Sequence, residues 1–189
     1  MYVLFEDAGK FMAGRIMSEA EASAQVELDS GKRVKVKSAH MLLKFDKPAP
    51  AALLSDAAAL SQTIELELAY ECAPDEEFGF GDLAQDYFSA NASTTEQVAA
   101  LLRLHEAPHY FRRGGAKGRF RKAPAEIVQQ AHLAIEKKKQ VQAQIEAWSA
   151  DLIAGTCPAP IREQLYKILF RPDKNTPEYK AVVEASKGS

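Results

Sequence analysis

The residues of this chain best suited to chemistry at a charged partner are cationic and crowded together. Arg112, Arg113, Lys117, Arg119, Arg121 and Lys122 fall between Tyr110 and Pro124 with no Asp or Glu among them, although the whole chain carries a formal net charge of −2. The planar guanidinium of arginine presents a fork of N–H donors that matches a phosphate bidentately, and lysine adds a compact charge. Such a set grips a nucleic-acid backbone rather than breaking a bond. These six are the candidate nucleic-acid-binding residues. A solvated basic turn without a ligand is the plain alternative, and the mutual repulsion of six cations counts against it.

Groups that could carry catalysis do not assemble in the sequence. Asp7, Asp29, Asp46, Asp56, Asp75, Asp82, Asp86, Asp151 and Asp173 are scattered, without the close spacing that holds two magnesium ions for phosphodiester cleavage. His40, His105, His109 and His132 lack metal-ligand spacing, and Cys72 and Cys157 lie outside any C-x-x-C pair, so no metal site is expected. Gly114-Gly-Ala-Lys-Gly118 lacks the Gly-Lys-Ser/Thr ending of a P-loop, which leaves at most a backbone nest for one phosphate. No catalytic residue is assigned.

The elements that must position the cations can be read around them. Tyr110 and Phe111 favour a strand, Gly114, Gly115 and Gly118 supply turn conformations, and Phe120 resumes an extended run, so 109–122 reads as a basic β-hairpin or wing. Pro124 suits the first turn of a helix. Upstream, Ser93-Thr-Thr-Glu96 reads as a capping box opening a helix through Leu104 that stops at Pro108. A short strand at Phe78–Phe80, a short helix over 81–88 and a helix over Ala51–Tyr70 precede it. Helix, strand, helix, helix and basic hairpin is the order of a winged helix, here spanning 53–154.

The fold class read from the chain is α+β. Five short runs within residues 2–45 predict a small SH3-like β-barrel over 1–46, and Asp46-Lys-Pro-Ala-Pro-Ala supplies a linker at 47–52. One long helix is predicted over 124–154, about 45 Å at 1.5 Å per residue, with Ile127, Ala131, Ala134, Val141, Ile145, Trp148 and Leu152 on one stripe. In the C-terminal helical segment 155–189, Ile161–Phe170 forms one helix, and Thr176 with Pro177 caps another.

Composition bounds the rest. At 189 residues, 47% hydrophobic and 26% charged, the chain has the make-up of a globular protein. It contains no apolar run near the ~20 residues that span a membrane and no signal-peptide pattern, so a cytoplasmic location without a membrane partner is expected. From Glu65 to Asp86 the chain carries Glu65, Glu67, Glu71, Asp75, Glu76, Glu77, Asp82 and Asp86 with no Lys or Arg. That run is expected to face away from a nucleic-acid path or to dock on a basic surface of another domain.

The strings Asp82-Leu-Ala-Gln-Asp-Tyr-Phe88, Ala99-Ala-Leu-Leu-Arg-Leu-His105, Pro108-His-Tyr-Phe-Arg-Arg-Gly114, Gly118-Arg-Phe-Arg-Lys-Ala-Pro124 and Arg171-Pro-Asp-Lys-Asn175 with Glu178-Tyr-Lys-Ala181 together resemble the amino-terminal region of bacterial ribonuclease II family 3′→5′ exoribonucleases. The branch is the one in which a helix-turn-helix module precedes the catalytic domain. The resemblance implies a parent hydrolase whose magnesium-dependent catalytic domain lies outside this chain, with no cofactor expected in this segment. The expected partners are single-stranded RNA and the parent enzyme's own catalytic domain, with Arg112, Arg113, Lys117, Arg119, Arg121 and Lys122 as the RNA-binding residues. The leading reading is an RNA-binding, substrate-guiding segment acting in RNA degradation and inactive alone; a DNA-binding winged-helix regulator and a protein-interaction module without nucleic-acid contact stand beside it.

Overall fold

The alternating runs at the start of the chain become antiparallel strands β1 (Tyr2–Asp7), β2 (Lys10–Ala20), β3 (Ser23–Glu27), β4 (Arg33–Lys37) and β5 (Met41–Phe45), with a 3-10 turn over Ser38–His40. These elements come from a computed structural model, which describes residues 1–188. The strands are ordered β4-β3-β2-β1-β5, and among the described residues no ladder joins β4 to β5. The expected closed barrel is therefore corrected to an open sheet.

The reason lies in β1, which is buried on both faces. Val3 and Phe5 join Ala24, Val26 and Val36 in one core, while Leu4 points the other way with Ala13 and Phe45 into a core shared with helices. A sheet that covers a helical core with one face is not free to curl wholly onto the other. Its edge strand β4 holds Arg33, Lys35 and Lys37 exposed, charges that discourage further strand pairing.

The helix expected over Ala51–Tyr70 is two helices, α1 (Pro50–Ser61) and α2 (Leu66–Cys72). The hydroxyls at the break donate back to the preceding turn, Ser61 Oγ to the Ala58 carbonyl at 2.7 Å and Thr63 Oγ1 to that of Leu60 at 2.8 Å. Such local bonds compete with helix continuation, and Ile64, 2% exposed, turns into the core between the two pieces. Strand β6 (Phe78–Gly79) leads into α3 (Phe80–Tyr87), whose start is held by the Gly79 N–H donating to Asp82 Oδ2 at 2.8 Å.

The capping box at Ser93 forms as read: the Ser93 N–H donates to Glu96 Oε2 at 2.6 Å and the Glu96 N–H to Ser93 Oγ at 3.3 Å. Helix α4 (Thr94–Glu106) buries Val98, Ala99, Leu101 and Leu104 against α1 and α3. Strands β7 (Phe111–Arg113) and β8 (Arg119–Lys122) then make a second antiparallel sheet of order β6-β8-β7.

All of this lies in one compact unit, Met1–Val128; a second unit spans Gln129–Ser189. Helix α5 (Ala125–Ile153) belongs to the first up to Val128 and to the second beyond it. The second unit also holds α6 (Ala159–Glu163), α7 (Leu165–Phe170) and α8 (Pro177–Lys187) around Ile145, Ile161, Ile168 and Ala181, with Trp148 packed against them. The single helix expected over Ile161–Phe170 is broken at Gln164 (φ −103, ψ 8), whose side chain donates to Glu178 Oε1 at 3.4 Å. Thr176 caps α8 as expected, accepting from the Tyr179 N–H at 3.4 Å.

Candidate nucleic-acid interface

The basic hairpin is fastened by its aromatic residues. Phe111 and Phe120, 2% and 3% exposed, enter the helical core, so strand alternation decides where each cation goes. Arg112 stands opposite Arg121 on the outer face, and Phe111 opposite Lys122 and Arg113 opposite Phe120 on the inner. Gly118 closes the turn at φ +76°, a conformation other residues adopt only with strain, and a Cβ there would also press on Leu42 and Phe80.

The sequence suggests uncompensated positive charge here, and the structure corrects this: five of the six cations are ion-paired. Arg113 Nη1 and Lys117 Nζ share Glu6 Oε1 at 3.3 and 3.4 Å, Glu6 being only 5% exposed on β1. Arg119 Nη1 approaches Asp82 Oδ2 at 3.9 Å, and Lys122 Nζ meets Asp75 Oδ1 at 3.2 Å while lying over the Tyr70 ring. Arg121 places both Nε, at 3.0 Å, and Nη2, at 2.9 Å, on Glu77 Oε2. Arg112 is exposed and has no carboxylate partner among the described residues.

Glu77 is the organising acid of this surface. The same oxygen accepts the Gly115 N–H at 3.3 Å, and the Gly115 amide together with the Arg121 guanidinium holds the Glu77 carboxyl below its ordinary value. The acidic run of the sequence thus docks, through Asp75, Glu77 and Asp82, on the basic hairpin of the same unit. Its charge was legible, but not its destination. Glu6 was missed altogether, since an acid at the end of a strand ordinarily faces water.

Six cations against four carboxylates leave an excess of two on the hairpin. The guanidinium side chains of Arg113, Arg119 and Arg121 remain 58%, 48% and 65% exposed. The exposed pairs of Arg119 with Asp82 and Arg121 with Glu77 are worth about 0–1 kcal/mol, so a phosphate can replace those carboxylates at small cost, whereas Glu6 is buried and holds Arg113 more firmly. A depression of about 550 Å³ is lined by Arg112, Arg113, Arg121, Lys122 and the Gly114–Gly115 backbone. A smaller one of about 190 Å³ includes Glu6, Phe11, His105 and Lys117; there His105 Nε2 meets Arg113 Nη2 and its ring stands edge-on to Phe11, centroids 4.9 Å apart.

Helix α4 offers few groups to a DNA groove. Arg103 is turned inward, its Nε donating to the Ile64 carbonyl at 3.0 Å, and His105 is engaged as just described. Among the described residues no three His, Cys, Asp or Glu side chains come together as a metal-ligand set. No helix among them is long and apolar enough to cross a membrane. Comparison with known protein families, with characterised proteins and with solved structures finds no significant match.

Proposed function

We propose that the chain is an RNA-binding, substrate-guiding segment of a ribonuclease II-like 3′→5′ exoribonuclease, with the hairpin as an electrostatic contact for the RNA backbone and bond cleavage supplied by a catalytic domain outside this chain. The observation that carries the RNA contact is the depression bounded by Arg112, Arg113, Arg121 and Lys122, where three arginine or lysine heads are held by carboxylates yet one, Arg112, is unpaired. The carboxylates orient these heads in advance, which lowers the entropy lost on binding. We read the stretch 53–154 as a winged helix, supported by the order α1, α2, β6, α3, α4, β7, β8 and by the strand order β6-β8-β7. The leading sheet is read as SH3-like on its strand order and the 3-10 turn before β5; the nuclease assignment itself rests on the motif resemblance.

A second reading has its own observation. The ion pairs from the hairpin to Glu6, Asp75, Glu77 and Asp82 tie three separate stretches of the chain together, as a packing or protein-interaction module without RNA contact would. Fluorescence anisotropy with a labelled single-stranded RNA and a matched DNA duplex separates the two. The RNA reading expects the single strand to bind more tightly than the duplex, and Arg112→Ala with Arg113→Ala and Arg119→Ala to weaken it. Absence of binding, or affinity unmoved by the triple substitution, sinks the hairpin contact and favours the packing module.

A further inference from the structure

The second unit carries a surface that the hairpin reading does not use. Helix α7 turns only Ile168 into its core, at 9% exposure, and leaves Tyr166 and Phe170 at 68% and 69% with Leu165 and Leu169 beside them. The two rings lie against each other at 4.9 Å between centroids, tilted by 35°. Two large aromatic rings displayed together are costly to leave in water unless something covers them.

The charges in the same stretch of chain bear on what covers the rings. Arg162, Lys167, Arg171 and Lys174 are exposed, and no carboxylate pairs with any of them among the described residues, in contrast to the hairpin. Glu163 and Asp173 are the acids interspersed with them, and Asp173 Oδ1 is occupied by the Asn175 N–H at 3.0 Å. Lys167 and Arg171, one turn apart, line a depression of about 180 Å³ together with Gln164, Ile168, Asp173 and Thr176, so two cations face one carboxylate there. Cations free to meet phosphate near a pair of exposed aromatic rings are the two components of a single-strand binding surface, in which bases stack on the outer ring faces and the backbone follows the charge.

We propose that Tyr166 and Phe170 form a base-stacking platform for single-stranded nucleic acid, with Lys167 and Arg171 taking an adjacent phosphate. This rests on the RNA-binding reading and adds to it a contact that recognises bases rather than charge alone. A protein partner would be served by the leucines as well as the rings; the unpaired cations favour the polyanion.

The test uses the whole chain and a labelled oligoadenylate of about twelve nucleotides, with affinity followed against salt. Tyr166→Ala with Phe170→Ala is expected to lower affinity about tenfold or more, as loss of stacked bases does, while leaving the slope of affinity against salt unchanged because no charge is removed. Tyr166→Leu with Phe170→Leu should lose affinity equally, and Tyr166→Phe with Phe170→Tyr should retain it. Circular dichroism checks that each variant folds, which the exposure of both positions favours. Wild-type affinity in the alanine variant, or in the leucine variant alone, overturns the platform; the second result identifies an apolar docking face instead. The hairpin variant Arg112→Ala, Arg113→Ala, Arg119→Ala measured in parallel keeps the two failures apart: if it weakens binding while the α7 variants do not, only the platform falls, and the reverse result leaves the platform standing without the hairpin.

Discussion

If the hairpin is an RNA contact masked by its own acids, removing the acids must expose it. The perturbation is Asp75→Asn, Glu77→Gln and Asp82→Asn together, amides that keep the shape and the accepting oxygens for the Gly79 and Gly115 N–H groups but lose the charge. Wild type has six hairpin cations against four carboxylates, so about two phosphates can be neutralised. The slope of log affinity on log salt is then about −1.4 for a single strand, at roughly −0.7 per phosphate. The triple variant retains only Glu6, and the slope steepens to about −3.5. Between 50 and 200 mM salt the wild type should lose about sevenfold in affinity and the variant about a hundredfold, with tighter binding by the variant at the low-salt end. Anisotropy titrations of a labelled single-stranded RNA at four salt concentrations measure both slopes. Equal slopes and equal affinities would refute the reasoning, since the liberated cations would not be meeting RNA.

Three further outcomes are expected. Because the folded-state pKa of Glu77 lies below its ordinary 4.5, its stabilisation is complete above that value and is lost as pH falls through the lower folded value; Glu77→Gln should therefore flatten the acid limb of stability against pH, and the Glu77 carboxyl signal in NMR should titrate below 4.5, a midpoint at or above that value contradicting the assignment. Glu6→Ala leaves Arg113 and Lys117 without their shared acceptor but open to water, and should cost about 1 kcal/mol, read as a lower urea midpoint with faster amide exchange in β1 and β7; an unchanged midpoint would mean that the buried carboxylate contributes nothing net. Gly118→Val introduces a β-branched side chain at φ +76° and against Phe80, and should destabilise by about 1–3 kcal/mol, seen as a lower melting temperature of the hairpin amides, whereas a variant as stable as wild type would show that the turn relaxes freely.

How much was legible depended on whether a signal was local. The five strands, the Ser93 capping box, the Thr176 cap and the hairpin between Phe111 and Lys122 are fixed by alternation, side-chain caps and glycine, all within a few residues, and their positions follow from the sequence. The breaks at Gln62–Glu65 and Gln164 did not show, because apolar spacing runs through both; the hydroxyls of Ser61 and Thr63 act locally but leave that spacing unchanged, and the tie from Gln164 to Glu178 acts only once α8 is in place. The candidate site was half visible. The six cations were evident as a cluster, but the carboxylates that hold them come from positions 6, 75, 77 and 82, and no periodicity links such distant residues. Tyr166 and Phe170 read as part of an amphipathic helix, and only the break before them explains why their side chains are left outside.

The first strand has a consequence of its own. Because Val3 and Phe5 serve one hydrophobic cluster while Leu4 serves another, a slip of β1 by a single residue would exchange the two sets and ruin both at once. Most strands in a half-wet sheet tolerate error on their solvent side; this one has no forgiving side. The hairpin's anchor, Glu6, rides on the same strand, so the alignment of six residues at the beginning of the chain also fixes the spot where Arg113 and Lys117 are moored.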